Sequence, residues 1–251
     1  MNITVYLGSR CGNQPCYADY AYALGAWIAH HGHMLVYGGS RTGLMGELAD
    51  GALQAGGQVI GVEPQFFMDE ELQHEGLTKL IVTPDMTSRK QQMMDLGDIF
   101  LAFPGGIGTL EEISQVMSQV KLHQLEGRFA FLDFNGYYQP MKALIQQMSA
   151  EGFVDKAWAD AVPFVSSFAE LTAFVLGRDL PKPGETWRHF KNHMYRILDL
   201  ADDAETGETY VVYKTLYGEY RDFIRPLDMF LSEVDHEKYP DVPQKWRFEK
   251  T

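Results

Sequence analysis

The chain has 251 residues, with 34 acidic and 21 basic side chains and a formal net charge of −13 at pH 7. Apolar residues make up 45% and charged residues 22%, which excludes wholesale disorder and is typical of a globular protein with one large domain or a medium and a small one. The excess of acids argues against nonspecific binding to nucleic acid or anionic membranes, although it leaves room for a local basic pocket.

The first two thirds of the chain alternate short apolar runs with helical patterns. The runs that predict strands are Ile3–Leu7, Met34–Tyr37, Val59–Val62, Leu80–Val82, Ile99–Phe103, Phe129–Phe134 and Val162–Val165. The helical patterns are at Tyr17–Ile28, Leu44–Leu53, Ser88–Leu96, Leu110–Val120 and Tyr138–Met148, and Phe168–Leu176 completes the series. Because the strands are apolar throughout and alternate with helices, they predict a doubly wound parallel α/β sheet.

The pattern changes at Leu180–Gly184, where two prolines and a glycine predict a linker. Beyond the linker, short aromatic and β-branched runs predict a small, mainly-β module. These runs are Trp187–Phe190, Met194–Leu198, Tyr210–Leu216, Phe223–Ile224 and Met229–Val234. The sequence therefore predicts an α/β domain at residues 1–180 and a β-barrel-like domain at residues 185–251.

The segment that points most directly to chemistry is Pro104–Thr109, a glycine-rich turn between a buried strand and a helix. Gly105, Gly106 and Gly108 allow the backbone to approach a ligand closely, and the helix N-terminus suits a phosphate. Thr109 is placed to cap the helix or to donate its hydroxyl to the anion. The plainer interpretation is a tight, capped strand–helix turn, and spacing alone does not separate the two.

Two further strand ends should lie beside that turn, because the carboxyl ends of parallel strands share one edge of the sheet. Tyr37–Gly43 has the same strand–glycine–helix context, so Gly39 is a candidate contact, and Ser9 follows the first strand. Neither segment has the G-x-G-x-x-G spacing of a standard dinucleotide fingerprint. The convergence of the three loops still favours a nucleotide-sized crevice.

Three charged positions could serve such a crevice. Arg89 and Lys90 open one helix, where they could hold a phosphate or simply be a solvated basic helix start. Glu112 follows the glycine loop and could act as a base, while the neighbouring Glu111 is an equally spaced rival. No metal site and no cofactor is predicted, because the histidines are not spaced with carboxylates as ligands are.

Location is predicted from the two cysteines and the hydropathy pattern. Cys11 and Cys16 are too few and too irregularly spaced for a disulfide framework or a zinc quartet, which favours a reducing compartment. There is neither a signal-peptide pattern nor an apolar run of 18 residues. We therefore expect a cytoplasmic protein without a membrane partner.

The motifs resemble those of one family. Pro104–Glu112, PGGIGTLEE, resembles the P-G-G-x-G-T-x-x-E signature of the LOG ("Lonely guy") proteins, which are cytokinin riboside 5′-monophosphate phosphoribohydrolases, and Met86–Lys90 resembles their M-x-x-R-K block. The older family label "lysine decarboxylase" is not carried over, since no feature points to a lysine that binds pyridoxal phosphate. Supporting matches are Leu7–Ser9, Val36–Gly39, Gly43–Gly46, Gly57–Val62 and Asn135–Tyr138.

The resemblance implies a Rossmann-like fold, a homodimer or higher homo-oligomer with the site near the subunit interface, and Arg89 and Glu112 as the essential catalytic pair. The chain departs from the family pattern in one loop, where Ser40 replaces a third glycine and Arg41 adds a charge. With the loop residues above, the substrate-binding set becomes Ser9, Gly39, Glu71, Arg89, Lys90, Gly105, Gly106, Ile107, Gly108, Thr109 and Ser118.

The activity implied is hydrolysis of the N-glycosidic bond of adenosine 5′-monophosphates, with or without an N6 substituent. The alternative is a non-catalytic nucleotide- or cofactor-binding protein on the same fold. Segments such as Trp187–Lys191 and Arg225–Phe230 resemble a small bacterial domain of unknown function over residues 185–248. A partner- or RNA-binding role for that domain is a third possibility, which the 14 acids against 10 bases of residues 185–251 make less favoured.

Overall fold

The computed structural model describes residues 1–68, 72–204 and 206–251. The chain forms two compact units, Met1–Ser166 and Ser167–Thr251, and each is described by itself.

The first unit alternates strands with helices. Its strands are β1 (Asn2–Tyr6), β2 (Met34–Tyr37), β3 (Gln58–Pro64), β4 (Lys79–Thr83), β5 (Ile99–Ala102), β6 (Arg128–Leu132) and β7 (Phe164–Val165). Its helices are α1 (Cys16–His30), α2 (Gly43–Gln54), α3 (Gln65–Met68), α4 (Met86–Leu96), α5 (Ile107–Lys121), α6 (Gln139–Ala150) and α7 (Lys156–Ala161).

The seven strands form one parallel sheet in the order β4-β3-β2-β1-β5-β6-β7. The chain first steps outward from β1 to β4, then returns through α4 to place β5 on the other side of β1. The order therefore reverses between β1 and β5, and their carboxyl ends border the crevice where ligands bind in such folds. The Rossmann-like, doubly wound sheet is confirmed.

Helices cover both faces of this sheet, as the continuously apolar strands require. On one face α4 and α5 pack through Met93, Ile113 and Val116 against residues such as Val36 and Phe131. Alternation along β2 turns Leu35 and Tyr37 to the opposite face, and α1 and α2 bury Leu24, Ile28 and Leu48.

Helices α1 and α2 approach to backbone contact. A Cβ on Gly25 would lie 2.0 Å from the carbonyl oxygen of Leu48, and one on Gly51 would lie 2.0 Å from that of Tyr22. These two glycines allow the close approach of α1 and α2. Helix α2 begins at Gly43, just after the loop that follows β2.

The second unit is a five-stranded antiparallel sheet in the order β11-β10-β9-β8-β12. Its buried core includes Trp187, Ile197, Val211, Phe230 and Phe248. The elements are α8 (Phe168–Leu176), β8 (Thr186–His189), β9 (His193–Asp202), β10 (Thr209–Thr215), β11 (Asp222–Pro226), α9 (Leu227–Leu231) and β12 (Phe248–Lys250).

Three details differ from the sequence prediction. The sheet is open, because β11 and β12 are its two edges and no described residues pair them, so it is not a barrel. Helix α8 belongs to the second unit, where Ala173 joins the core, although the sequence interpretation placed it in the first domain. The run Met229–Val234 contains the end of α9 instead of a strand, because Leu227, Phe230 and Leu231 bury one face at helical spacing.

None of the helices in the described part of the chain has the length and apolar character needed to cross a lipid bilayer.

Candidate functional site

A cavity of about 590 Å³ opens at the reversal point between β1 and β5. The loop Leu7–Gly12 after β1 and the loop Pro104–Thr109 after β5 form two of its walls, and Tyr137 closes a side. The backbone N–H of Gly8 donates to the carbonyl oxygen of Pro104 at 3.2 Å, which ties the two loops together. The predicted crevice therefore exists, and it is of a size that accommodates a small organic ligand.

The three glycines of the loop after β5 have different roles. A Cβ on Gly105 would lie 2.2 Å from the Thr109 hydroxyl oxygen and 2.8 Å from the Gly8 nitrogen, so close packing within the protein excludes a side chain there. A Cβ on Gly106 or Gly108 would meet no atom within 4 Å. Packing in this structure does not require glycine at these two positions, and their lack of side chains keeps the cavity open beside the backbone.

Helix α5 begins at this loop without a side-chain cap. Gly106 is its N-cap, and the first helical hydrogen bond runs from the Leu110 N–H to the Gly106 carbonyl. The N–H groups of Ile107, Gly108 and Thr109 precede that bond and have no helical partner, so they present a partial positive charge to the cavity. Such a helix end is a binding site for a phosphate. Thr109 lies inside the first turn, so its predicted capping role is wrong.

Arg89 lies at the base of the cavity, in the first turn of α4. Asp85 caps this helix by accepting a hydrogen bond from the Ser88 N–H at 2.8 Å. The Arg89 Nε donates to the carbonyl oxygen of Val62 at 2.9 Å. A Cβ on Gly38 would lie 2.2 Å from Nη2 of the same guanidinium. The backbone of β3 and the glycine after β2 therefore fix the direction of this cation.

Glu112 is the partner of that cation. Its Oε1 accepts a hydrogen bond from Nη1 of Arg89 at 2.8 Å, and both side chains are buried. Burial raises the pKa of the Glu112 carboxyl, and the charge and hydrogen bond of Arg89 act in the opposite direction. The buried Tyr6 lies close enough to sense both charges, and its phenol pKa is raised, first by burial and then by Glu112.

The structure separates the two rival carboxylates. The side chain of Glu111 is 59% exposed and forms an ion pair with Lys90 at the rim. Glu112 is buried against Arg89, where desolvation and a fixed cation set its protonation state. Strongly perturbed carboxyls in clefts are candidates for catalysis, which favours Glu112 over Glu111.

The predicted binding residues divide into those that line the cavity and those that do not. Gly39 packs against Glu63 and has a φ of +87°. Gly39, Lys90 and Ser118 are not among the described residues that line the cavity. Glu71 lies outside the described residues. The lining residues from the predicted set are Ser9, Arg89, Gly105, Gly106, Ile107, Gly108, Thr109 and Glu112.

Sequence reasoning missed other residues that line the cavity. Tyr137 lines it and donates its hydroxyl to the carbonyl oxygen of Gly105, which fixes the glycine loop from outside. Tyr137 lies within Asn135–Tyr138, a segment that supports the family resemblance, but the sequence did not connect that segment to the site. Met45 and Phe67 add apolar surface to the cavity. Neither residue belongs to a sequence pattern that predicts a binding site. Among the described residues no group of three or more His, Cys, Asp or Glu is arranged to hold a metal ion.

Two family models match this chain. The model described as "possible lysine decarboxylase" matches residues 45–175. The model described as a protein of unknown function (DUF1653) matches residues 185–250.

Curated relatives carry a more specific name. A cytokinin riboside 5′-monophosphate phosphoribohydrolase of Rhodococcoides fascians is 42% identical over 157 residues, which are 62% of this chain and 79% of the relative. An Arabidopsis thaliana protein of the same name is 36% identical over 152 residues, 61% of this chain and 67% of its own.

Solved structures show the same fold. The molybdenum cofactor binding protein of Rippkaea orientalis superposes with a TM-score of 0.53 at 24% identity, over 70% of this chain and 95% of its own. This likeness is to the architecture of the first unit and says nothing of the ligand.

The two open glycines provide a test of the cavity. We expect Gly108→Ala to leave the thermal midpoint unchanged or slightly raised, because the new methyl group meets no protein atom and alanine favours helix. It should weaken binding of AMP at least about tenfold, or ~1.4 kcal/mol, by occupying the space beside the helix N-terminus. Calorimetric titration and thermal melting measure the two effects.

Gly105→Ala is the matched control, since its methyl group collides with Thr109 and should lower the melting temperature even without ligand. If Gly108→Ala bound AMP as tightly as the parent protein, the phosphate would not lie against the start of α5.

Proposed function

Because this chain belongs to the LOG family of cytokinin riboside 5′-monophosphate phosphoribohydrolases, we propose that it hydrolyses the N-glycosidic bond of adenosine 5′-monophosphates to a free base and ribose 5-phosphate. The substrates we propose are AMP and its N6-modified, cytokinin-type derivatives. The observation that carries this proposal is the buried Arg89–Glu112 pair at the base of a cavity whose wall is an uncapped helix N-terminus.

Binding of the substrate phosphate follows from the start of α5. The free N–H groups of Ile107, Gly108 and Thr109 donate to the phosphate oxygens, and the helix dipole favours the negative charge. Anchoring the 5′-phosphate fixes the ribose, since the two are joined covalently. The anomeric carbon is thereby held near Glu112, and orientation of this kind lowers the barrier without any new bond.

The bond between the anomeric carbon and the base nitrogen breaks with its electron pair leaving on the base. Positive charge then develops on the ribose ring, and the carboxylate of Glu112 stabilises it. A water molecule adds to the anomeric carbon and gives its proton to Glu112, which acts as a general base. The departing base takes a proton from solvent.

Arg89 has two roles in this scheme. Its charge lowers the pKa of Glu112 against the effect of burial and so favours the ionised form that a base requires. Its hydrogen bond to the Val62 carbonyl holds the pair in one orientation, so the carboxylate is positioned before substrate arrives.

We also propose that the protein acts as a homodimer in the cytoplasm. On α5 the exposed Ile107, Leu110 and Ser118 lie on one face, since they are spaced by three, eight and eleven positions, and Leu122 follows at the end of the helix. The exposed apolar side chains of Ile107, Leu110 and Leu122 are suited to contact with a second copy of the chain, and such a contact would bring Ser118 to a neighbouring site. The free thiols of Cys11 and Cys16 agree with a reducing compartment.

The enzyme proposal is tested by product analysis. We expect purified protein to release adenine from AMP and isopentenyladenine from its isopentenyl derivative, detected by chromatography. Glu112→Gln should lower kcat at least about a hundredfold, because it removes the general base, while the dissociation constant for AMP changes little.

Glu111→Gln is the matched control, since it makes the same change at the rim and should retain near-normal kcat. Normal turnover by Glu112→Gln would show that the carboxylate is wrongly assigned. If the parent protein bound AMP but cleaved neither nucleotide, the alternative of a binding protein without turnover would replace this proposal.

The pH profile tests the role of Arg89. Glu112 must be ionised to accept a proton, so kcat should fall as the pH drops through the pKa of Glu112. Because burial raises this pKa, the acidic limb of the pH profile should lie above the ordinary value of 4.5. Arg89→Lys loses the fixed hydrogen bond that opposes burial, so the limb should move to higher pH. The substrate phosphate ionises identically in both enzymes, and coincident limbs would contradict the proposed coupling.

The assembly is tested by light scattering. We expect a mass twice the 28.5 kDa of one chain, and we expect Leu110→Glu to give monomers because it places a charge in the apolar contact. A monomeric parent protein at enzymatic concentrations would refute the dimer.

A further inference from the structure

The second unit contains a cluster of charged and aromatic side chains that the proposed reaction does not use. At its centre is His189, the last residue of β8. The His189 ring lies 4.2 Å from that of Phe190 and 4.7 Å from that of Phe248 between centroids. Tyr195, on the neighbouring strand β9, presents its ring edge at 6.3 Å. The imidazole is therefore embedded among aromatic rings at one end of the sheet.

Three cations lie close enough to act electrostatically on this histidine, and we call Lys191, Arg225 and Arg247 the cationic cluster. The backbone N–H of Lys191 donates to Nδ1 of His189 at 3.2 Å. Arg225 donates from Nε to the hydroxyl oxygen of Tyr213 at 3.3 Å, and its guanidinium lies 5.8 Å from the ring centre of Phe248. The side chain of Arg247 bonds to the Ser232 hydroxyl at 3.2 Å.

The cationic cluster lacks neutralising carboxylates. Within the described part of the chain, no Asp or Glu oxygen lies within 4 Å of the charged nitrogens of Lys191, Arg225 or Arg247. Other cations of this unit do have such partners: Lys214 pairs with Asp222 at 3.0 Å, and Lys245 pairs with Glu233 at 3.3 Å. Aromatic rings and hydroxyls stabilise a cation but add no negative charge, so the cluster keeps an excess of positive charge.

The protonation of His189 reflects that excess. Burial first, and then the charges of Arg225, Arg247, Lys191 and His193 in that order of importance, together lower the pKa of His189 to about 4. No carboxylate is among the causes. The histidine is therefore neutral at physiological pH, and because Nδ1 accepts from Lys191, its proton lies on Nε2, where it is a donor.

Aromatic rings flank the cationic cluster on two sides. Phe190 and Tyr239 lie 4.9 Å apart between centroids, with the Lys191 ammonium 5.3 Å from the Tyr239 ring. On the other side His193 stacks on Tyr217 at 4.3 Å, and Tyr217 is 40% exposed. Half-buried rings beside unpaired cations are the combination that binds phosphates and stacks bases.

We propose that the cationic cluster Lys191–Arg225–Arg247 is a second nucleotide-binding site, in which the cations and the His189 Nε2–H hold a phosphate and a flanking ring stacks on a base. This site is independent of the cavity in the first unit and of the reaction proposed there. Its ligand chemistry, a phosphate joined to a planar base, has two sources: a free mononucleotide or a single-stranded nucleic acid. The net charge of −13 does not oppose either, because the field at the cluster is local.

Binding of a single-stranded nucleic acid is tested by fluorescence anisotropy of a labelled 12-nucleotide single-stranded RNA with the full-length protein. We expect binding that weakens with added salt, and we expect Lys191→Gln/Arg247→Gln to lower the affinity at least about tenfold with a shallower salt dependence. The control is Lys156→Gln/Lys214→Gln, which makes the same change in charge at cations already paired with Asp160 and Asp222.

The mononucleotide is tested by calorimetry with AMP in the Glu112→Gln background, where the proposed hydrolysis is at least about a hundredfold slower. Two AMP sites that become one in the Lys191→Gln/Arg247→Gln variant would assign the cluster to free nucleotides. In either arm an anion beside His189 should raise the pKa of its imidazole above about 4, measured by NMR, which a purely structural cluster would not produce.

Binding of RNA alone identifies single-stranded nucleic acid as the ligand. Loss of one AMP site in the Lys191→Gln/Arg247→Gln variant identifies the mononucleotide as the ligand. The proposal is overturned if the folded double variant matches its control for RNA affinity and for the number of AMP sites. Failure of AMP hydrolysis would leave these measurements unaffected, because none of them depends on turnover.

Discussion

The candidate site depends on one buried ion pair, between Arg89 and Glu112. Removing two charges from water costs several kcal/mol per ion, so such a pair persists only where further groups hold it. Here the Val62 carbonyl at the end of β3 accepts from the guanidinium, and Gly38 after β2 leaves it room. The carboxylate comes from α5. The pair therefore requires four separate elements, β2, β3, α4 and α5, to meet at the reversal of the sheet.

The sequence predicted the architecture well where the signal is local. Continuously apolar runs such as Ile99–Phe103 mark strands covered on both faces, and the glycines after them mark the loops. Spacing could not separate Glu111 from Glu112, because consecutive helical residues differ only in the direction they face, and that direction depends on where Arg89 lies. The capping role of Thr109 failed for a similar reason: the loop ends one turn earlier, at Gly106.

Average charge predicts bulk partners only and is uninformative about individual sites. The chain carries an excess of 13 negative charges, yet its first unit presents a helix N-terminus beside Arg89, and its second unit presents three cations that pair with no carboxylate of the described residues. Both arrangements depend on contacts between residues far apart in the sequence, such as Arg225 on β11 and the ring of Phe248 on β12. Composition cannot report such contacts, because it is blind to the pairing of strands.

The hydrogen bond from the Gly8 N–H to the Pro104 carbonyl joins two loops that four strands separate along the chain. This hydrogen bond couples the motions of the two loops. A ligand that orders the first turn of α5 must also restrain the loop after β1, and thermal motion of either loop is shared by the other. The entropy lost on binding is therefore smaller than for two independent loops, since part of that loss is already incurred on folding.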